Sequence, residues 1–246
     1  MFDTYTEIFA ERAQSYHQAM RDSPRARDAE FRAVLEPLRD FPAGVLCDLP
    51  CGGAYLAKHL PFGMSYLGVD PSDDFIDACP PTIDPIKAQI TSVPLADASV
   101  DYIVSLAALH HEPDLPAVFR EIRRLLKRGA RAVLADVGKG TRPASFLNGF
   151  VDRNNPLGHD GHFVGDALQE MAKAAGFVVS DDRLMETPWE FQTLEEAGEF
   201  CRNLFWMPKL DARATAEAMD REIGFDFTSG KPRLRWVLRR IICDAA

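Results

Sequence analysis

The segment Gly44-Val-Leu-Cys-Asp48-Leu-Pro-Cys-Gly52-Gly53-Ala-Tyr-Leu-Ala-Lys-His-Leu60 constrains this chain more than any other. A short apolar run ends in an aspartate, a glycine pair follows at once, and an apolar helical pattern begins. That order reads as strand, tight loop and helix, the arrangement in which backbone approaches a ligand closely. A second apolar run, Tyr66-Leu-Gly-Val-Asp70, ends in another acid 22 residues past Asp48. An acid at that distance on a neighbouring strand suits the hydroxyls of a ribose. Together the two runs point to a nucleoside. Taken alone, the loop is equally an ordinary strand–turn–helix connection with glycines for the turn.

The charge at the first loop narrows the choice of nucleoside. A dinucleotide loop cradles a pyrophosphate with N–H groups at a helix N-terminus. Asp48 at the mouth of the loop would repel a phosphate and attract a cation. G-x-G-x-x-G needs three glycines, and here Pro50 and Ala54 stand where the outer two would be. S-adenosylmethionine carries no phosphate and bears both an ammonium and a sulfonium, so it suits this loop.

Four ordered motifs extend the reading. From about Phe41 to Val137 the chain resembles a class I S-adenosylmethionine-dependent methyltransferase of the small-molecule type. Asp48 to Ala54 resembles the D-x-G-x-G-x-G motif, and Asp70 the ribose acid after strand two. Val93-Pro-Leu-Ala-Asp97-Ala-Ser-Val-Asp101 resembles the family's "LPFPDASFD" segment, and Leu109-His110-His111-Glu-Pro-Asp114 its "LHHLxD" segment. The resemblance implies S-adenosylmethionine as cofactor and S-adenosylhomocysteine as product. It implies cofactor contacts from Asp48, Pro50, Cys51, Gly52, Gly53, Asp70, Gln89, Ile90 and Leu106, with Tyr16 on the first helix closing over the site. Pro50 and Cys51 depart from the small residues usual in the first motif. Gln89 replaces the common acid that contacts the adenine amino group, a bond an amide oxygen also accepts.

Strands alternate with helices along the chain, which implies a parallel sheet covered on both faces. Strands are expected near Val45–Cys47, Tyr66–Val69, Ile86–Ala88, Tyr102–Leu106, Ala132–Val137 and Phe177–Leu184. The run Tyr102–Leu106 is apolar but for Ser105, as a strand buried on both faces should be. Helices are expected over Tyr5–Met20, from Ser23-Pro24 with Pro at the first helical position, over Leu115–Leu126 closed by Gly129, and over Asp166–Ala175. Thr193-Leu-Glu-Glu196 reads as a capping box opening a helix to about Trp206. Another helix spans Asp211–Ile223, and Leu234–Cys243 reads as a last strand. The glycine-rich segment Gly138–Gly165 reads as a long functional loop. The expected fold is α/β: a Rossmann-like, mostly parallel seven-stranded sheet with helices on both faces, the last strand antiparallel, and a helical cap. One domain spans residues 1–246, with cap helices over 1–40, the cofactor-binding core over 41–185, a helical insertion over 186–230 and the last strand over 231–246.

Composition fits a soluble cytoplasmic enzyme. Hydrophobic residues make up 46% and charged residues 26%, close to globular averages. The formal charge of −9 argues against a nucleic-acid partner, which needs a basic face. Arg120, Arg123, Arg124, Lys127 and Arg128 read as the wet face and end of one helix. No apolar run approaches the ~20 residues that span a bilayer, so no membrane is expected. The start, Met-Phe-Asp-Thr-Tyr-Thr-Glu, shows no secretory signal. The five cysteines form no C-x-x-C pair and read as reduced and mostly buried. Cys47 and Cys51 open a radical-cluster spacing, but Ala54 stands where the third ligand would be. The partner is expected to be a small-molecule substrate, and the protein a monomer or homodimer.

Methyl transfer from a sulfonium needs alignment and, for a hydroxyl or N–H acceptor, a base. His111, after strand four, is the candidate base, since histidine accepts a proton near neutral pH. His110 and His111 serve equally as packing under the cap. His159, His162 and Trp206 are the candidate substrate-binding residues. His159 and His162 are three apart, but with no further ligand close in sequence no metal is expected. The expected activity is S-adenosylmethionine-dependent methylation of a small-molecule oxygen or nitrogen acceptor in specialised metabolism. The alternatives are cyclisation or elimination on the aminocarboxypropyl chain, and a non-catalytic S-adenosylmethionine-binding subunit.

Overall fold

A computed structural model describes residues 5–246, with side chains from Arg12 onward. The reading of the first seven residues falls in part on residues 1–4, outside the described residues. The chain opens with α1 (Tyr5–Asp22) and α2 (Asp28–Leu35), then enters the sheet at β1 (Val45–Asp48). β2 (Ser65–Asp70), α3 (Asp73–Asp77), β3 (Ile86–Lys87), β4 (Val100–Leu106), α4 (Leu115–Leu125) and β5 (Leu126–Asp136) follow. Next come α5 (Arg142–Phe146), a π turn (Leu147–Val151), α6 (Asp152–Asn154), α7 (Ala167–Ala174) and β6 (Phe177–Glu186). The tail holds β7 (Trp189–Glu190), α8 (Leu194–Leu204), α9 (Ala212–Glu222), β8 (Phe225–Asp226), β9 (Arg233–Leu234) and β10 (Val237–Ala245).

The main sheet has seven strands in the order β3-β2-β1-β4-β5-β10-β6. β1 pairs parallel with both β2 and β4, Asp48 standing opposite Gly68 and Val104. β10 is antiparallel to β5 and β6 between them, as expected. Because order reverses at β1, the connections leave in opposite directions and the carboxyl ends of β1 and β4 open a crevice.

Side chains alternate between the two faces with the period of two that strands impose. Tyr102, Val104, Val133, Ala135, Leu238 and Ile242 join one apolar cluster with α2, α5, α8 and α9. Ile103, Ala132, Leu134, Ile241 and Cys243 join another with α4 and α7. The α4 stripe of Val118, Phe119, Ile122 and Leu125 is at most 1% exposed. Each such side chain stabilises the fold by roughly 1.5–3 kcal/mol of transfer free energy.

Five expectations need correction. No helix begins at Pro24: the Ser23 hydroxyl donates to Glu196 at 2.7 Å instead of capping, and tight turns carry the chain to α2. No α-helix follows the glycine pair; Tyr55–His59 is a short 3-10 turn. α4 runs straight into β5, because Leu126 already pairs with Val100; Gly129 therefore lies inside the strand. The segment 138–165 is partly helical, since burying Phe146, Leu147 and Val151 organises α5 and the π turn. Leu234 belongs to a separate three-stranded sheet, β7-β9-β8, so β10 starts at Val237. The capping box is half formed: Thr193 accepts from the Glu196 N–H at 3.0 Å, but the Glu196 carboxylate takes Gln192 N–H and Ser23.

Gly198 is where α8 and α9 touch. A Cβ there would lie 1.8 Å from the carbonyl oxygen of Ala212, a backbone atom that cannot swing away. Gly198→Ala is therefore expected to lower stability by about 1–3 kcal/mol through forced helix separation. Urea unfolding of the two proteins measures this.

Candidate functional site

Three strands of the parallel sheet end in a buried aspartate. Asp48 closes β1, Asp70 closes β2 and Asp136 closes β5, and none is more than 3% exposed. A buried carboxylate is costly unless donors reach it, and the loops supply them. Asp70 accepts the Gly52 N–H at 2.8 Å and the Ser72 N–H at 2.9 Å. Asp136 accepts the backbone N–H of His110 at 3.1 Å and its ring Nδ1–H at 2.6 Å. Asp48 accepts the Tyr66 hydroxyl at 2.7 Å. Burial nevertheless pushes the Asp48 carboxyl up to about 7, with Asp70 adding to the rise and the Tyr66 bond opposing it.

The glycine loop is folded by these bonds. Cys51 N–H bonds Val69 O, which draws the loop across the end of β2. Cys51 fits there because Gly68 lacks a side chain: a Cβ on Gly68 would meet the Cys51 sulfur at 3.0 Å. Gly52 adopts φ +56°.

A cavity opens above these strand ends. Tyr16, Asp48, Pro50, Cys51, Gly52, Leu106, His111 and His159 all line it. Gly53 is buried behind it against Tyr55 and His17. Asp70 sits beneath the loop. Gln89 is exposed and Ile90 buried at the end of β3, both outside the lining. Two candidate residues lie outside the lining. His162 is exposed and outside the cavity, and its backbone N–H donates to His110 O. Trp206 also lies outside; Trp189, Phe205 and Trp236 line the cavity in its place.

Those three rings stack, Trp189 on Trp236 at 4.2 Å and 24° and on Phe205 at 6.1 Å and 25°. Beneath them lies a buried ion pair, Arg27–Glu30 at 2.6 Å. Glu30 also accepts the Trp189 indole N–H at 2.9 Å, and Arg27 donates to the Tyr16 hydroxyl at 2.8 Å. α1, α2 and the tail thus form one wall. No local motif announces it, since Glu30 and Trp189 are 159 residues apart.

The opposite wall is imidazole. His110 and His111 sit on a 3-10 turn after β4, and His159 follows α6. Burial holds His111 and His159 well below the usual histidine range, and the neighbouring imidazoles push the same way. His110 differs in being gripped by Asp136. Sequence reading passed over Asp136, although it shows the same signal as Asp48 and Asp70, an acid ending an apolar run.

Comparison with known proteins agrees with this fold. The pattern of the methyltransferase domain family matches residues 47–134. A bifunctional biotin biosynthesis protein of Cellvibrio japonicus is 28% identical over 169 residues, 62% of this chain and 33% of that protein. The chain spans about a third of the length of the first curated relatives it matches. Phosphoethanolamine N-methyltransferase 2 of Haemonchus contortus, solved with phosphomonomethylethanolamine and S-adenosylhomocysteine, aligns at a TM-score of 0.64 and 14% identity, covering 98% of this chain and 60% of that one. The 4+2 cyclase SpnF aligns at 0.58 and 18% identity, covering 86% and 79%. At such identities the likeness is one of fold. No helix among the described residues is long and apolar enough to cross a membrane.

The raised Asp48 carboxyl has a measurable consequence. In the unfolded chain it ionises near 4, and in the folded chain at about 7. The stability that neutral Asp48 contributes is thus present below pH 4 and is lost as pH rises to about 7. Asp48→Asn keeps the shape and removes the charge, so its advantage over wild type should grow over that window. The gain should reach roughly 4 kcal/mol at most. Urea midpoints at pH 4, 6 and 8 give the answer, and equal differences at all three would contradict it.

Proposed function

From a chain with the class I S-adenosylmethionine-dependent methyltransferase fold, whose residues 47–134 belong to the methyltransferase domain family, we propose that it moves the methyl of S-adenosylmethionine onto an oxygen or nitrogen of a small molecule. The observation that carries this reading is the cavity itself. It joins a carboxyl at the tip of β1 to an imidazole wall and an aromatic wall. The cofactor supplies a methyl already activated by its sulfonium.

Asp48 faces a cationic ligand. With its carboxyl poised at about 7, an adjacent ammonium or sulfonium favours the ionised form, so binding releases a proton at neutral pH. Asp70 takes the ribose hydroxyls. Two backbone N–H groups hold its carboxylate still. Pro50 to Gly53 pass along the cofactor, Gln89 and Ile90 take the adenine edge, and Tyr16 covers the site from α1.

The acceptor lies between the rings of Trp189, Phe205 and Trp236 and the histidines. Its lone pair forms the new bond to carbon while the carbon–sulfur bond breaks, and sulfur keeps the electron pair as S-adenosylhomocysteine forms. Orientation alone can contribute ~7–11 kcal/mol. The acceptor's proton is drawn off at the histidine cluster. His110 is its best-oriented member, because Asp136 holds Nδ1–H and leaves Nε2 for the cavity. His111 and His159 share the wall. The five free cysteines support a reducing, cytoplasmic setting.

A second reading keeps the cofactor and changes the reaction to cyclisation or elimination on the aminocarboxypropyl chain. Mass spectrometry after incubation with S-adenosylmethionine and a panel of phenols, amines and azoles separates the two. S-adenosylhomocysteine marks methyl transfer, and methylthioadenosine marks attack on the aminocarboxypropyl chain. Calorimetric uptake of NAD, and of neither sulfur nucleoside, would remove both readings. With any accepted substrate, His110→Ala is expected to lower kcat by about 10²–10⁴ while cofactor affinity stays within about twofold. Stopped assays at saturating cofactor measure it.

A further inference from the structure

Three imidazoles from two distant segments meet at one point of the cavity. One ring nitrogen from each of His110, His111 and His159 lies within 4.8 Å of the others. Ring centroids are 5.6 Å apart for His110 and His159, 5.3 Å for His111 and His159, and 4.0 Å for His110 and His111. Three imidazoles bound to one ion at ~2.0–2.1 Å would have centroids about 5 Å apart. Two of the three pairs already stand near that spacing, and the third needs a small turn of one ring.

The surroundings set the tautomers of His110 and His159. The Asp136 carboxylate only accepts, so His110 Nδ1 carries the hydrogen and Nε2 the lone pair. Asn148 Nδ2 donates to Gly161 O at 3.0 Å, and its Oδ1 accepts the Gly161 N–H at 2.9 Å, which sets the amide's orientation. The same Oδ1 accepts from His159 Nδ1 at 2.9 Å, leaving the His159 lone pair on Nε2 as well. A ligating histidine held through its other nitrogen by a carboxylate or carbonyl is the usual support of a metal site. Arg12 lies close enough to act on His111 and His159.

We propose that His110, His111 and His159 hold a divalent transition-metal ion of the zinc class, with a further coordination position open to the cavity. This rests on the reading that the acceptor end lies at these histidines. The ion gives the cluster its means of drawing off the acceptor's proton, because a hydroxyl bound to such an ion ionises near neutral pH. The spacing of His159 and His162 suggests a different pair, and that pair does not form.

The test needs neither cofactor nor acceptor. The full chain is stripped with a chelator and titrated with Co²⁺, following visible ligand-field bands. One saturable equivalent, with no thiolate charge-transfer band, is the expected result. His159→Ala should abolish it. Asn148→Ala, which keeps all three ligands, should weaken it by roughly 10–100-fold. His162→Ala should leave it unchanged, and circular dichroism melts show that each variant is folded. Absence of one-equivalent binding, or binding unmoved by His159→Ala, overturns the proposal. A chain that forms S-adenosylhomocysteine yet takes up no Co²⁺ loses the metal and keeps methyl transfer. Co²⁺ uptake by a chain that binds no sulfur nucleoside does the reverse.

Discussion

Burying a carboxylate at the tip of a strand is the constraint on which the rest of this site depends. Asp48, Asp70 and Asp136 are each almost fully enclosed. A charge so placed must collect donors from whatever chain follows the strand. The donors found are the N–H groups of Gly52 and Ser72, the Tyr66 hydroxyl, and the backbone and ring N–H groups of His110. Each bond bends a loop toward the same end of the sheet. The cavity is what those bent loops enclose, so the acids build the site and also furnish its charge.

The acids differ in what they are left to do. Asp70 and Asp136 are engaged by several donors, which fits positioning. Asp48 has one side-chain donor and a carboxyl lifted to about 7 by burial. Such a group is stabilised by a cation and destabilised by a phosphate, and so favours one class of nucleoside over another. On the far wall the Arg27–Glu30 pair plays a comparable part. Its burial is tolerable because Glu30 also holds Trp189 and Arg27 also holds Tyr16. Loss of either partner would strand the other charge in the core. The aromatic wall thus depends on an ion pair from α2.

How far the chain could be read in advance varies by element, for identifiable reasons. α4 is legible because its apolar residues repeat at the helical period, and β4 because a short apolar run marks a strand covered on both faces. α5 and the π turn were obscured by glycines and asparagines, although Phe146, Leu147, Phe150 and Val151 fall at helical spacing. The start of β5 was misread because Gly129 looks like a helix stop, whereas pairing of Leu126 with Val100 decides the matter. Of the candidate site, the residues of β1 and its loop were legible because a loop motif is local. Nothing local says that Trp189 and Trp236 rather than Trp206 line the cavity.

By itself the sequence determined the alternation of strand and helix, the acids that close β1 and β2 and the glycine loop, because these depend on spacing along one segment. Only the tertiary structure decided that His110, His111 and His159 share a wall, that Asp136 orients the first of them, and that Glu30 reaches Trp189. Those contacts join residues from 26 to 159 positions apart. At such separations, position is set by how the helices pack on the sheet rather than by any local pattern.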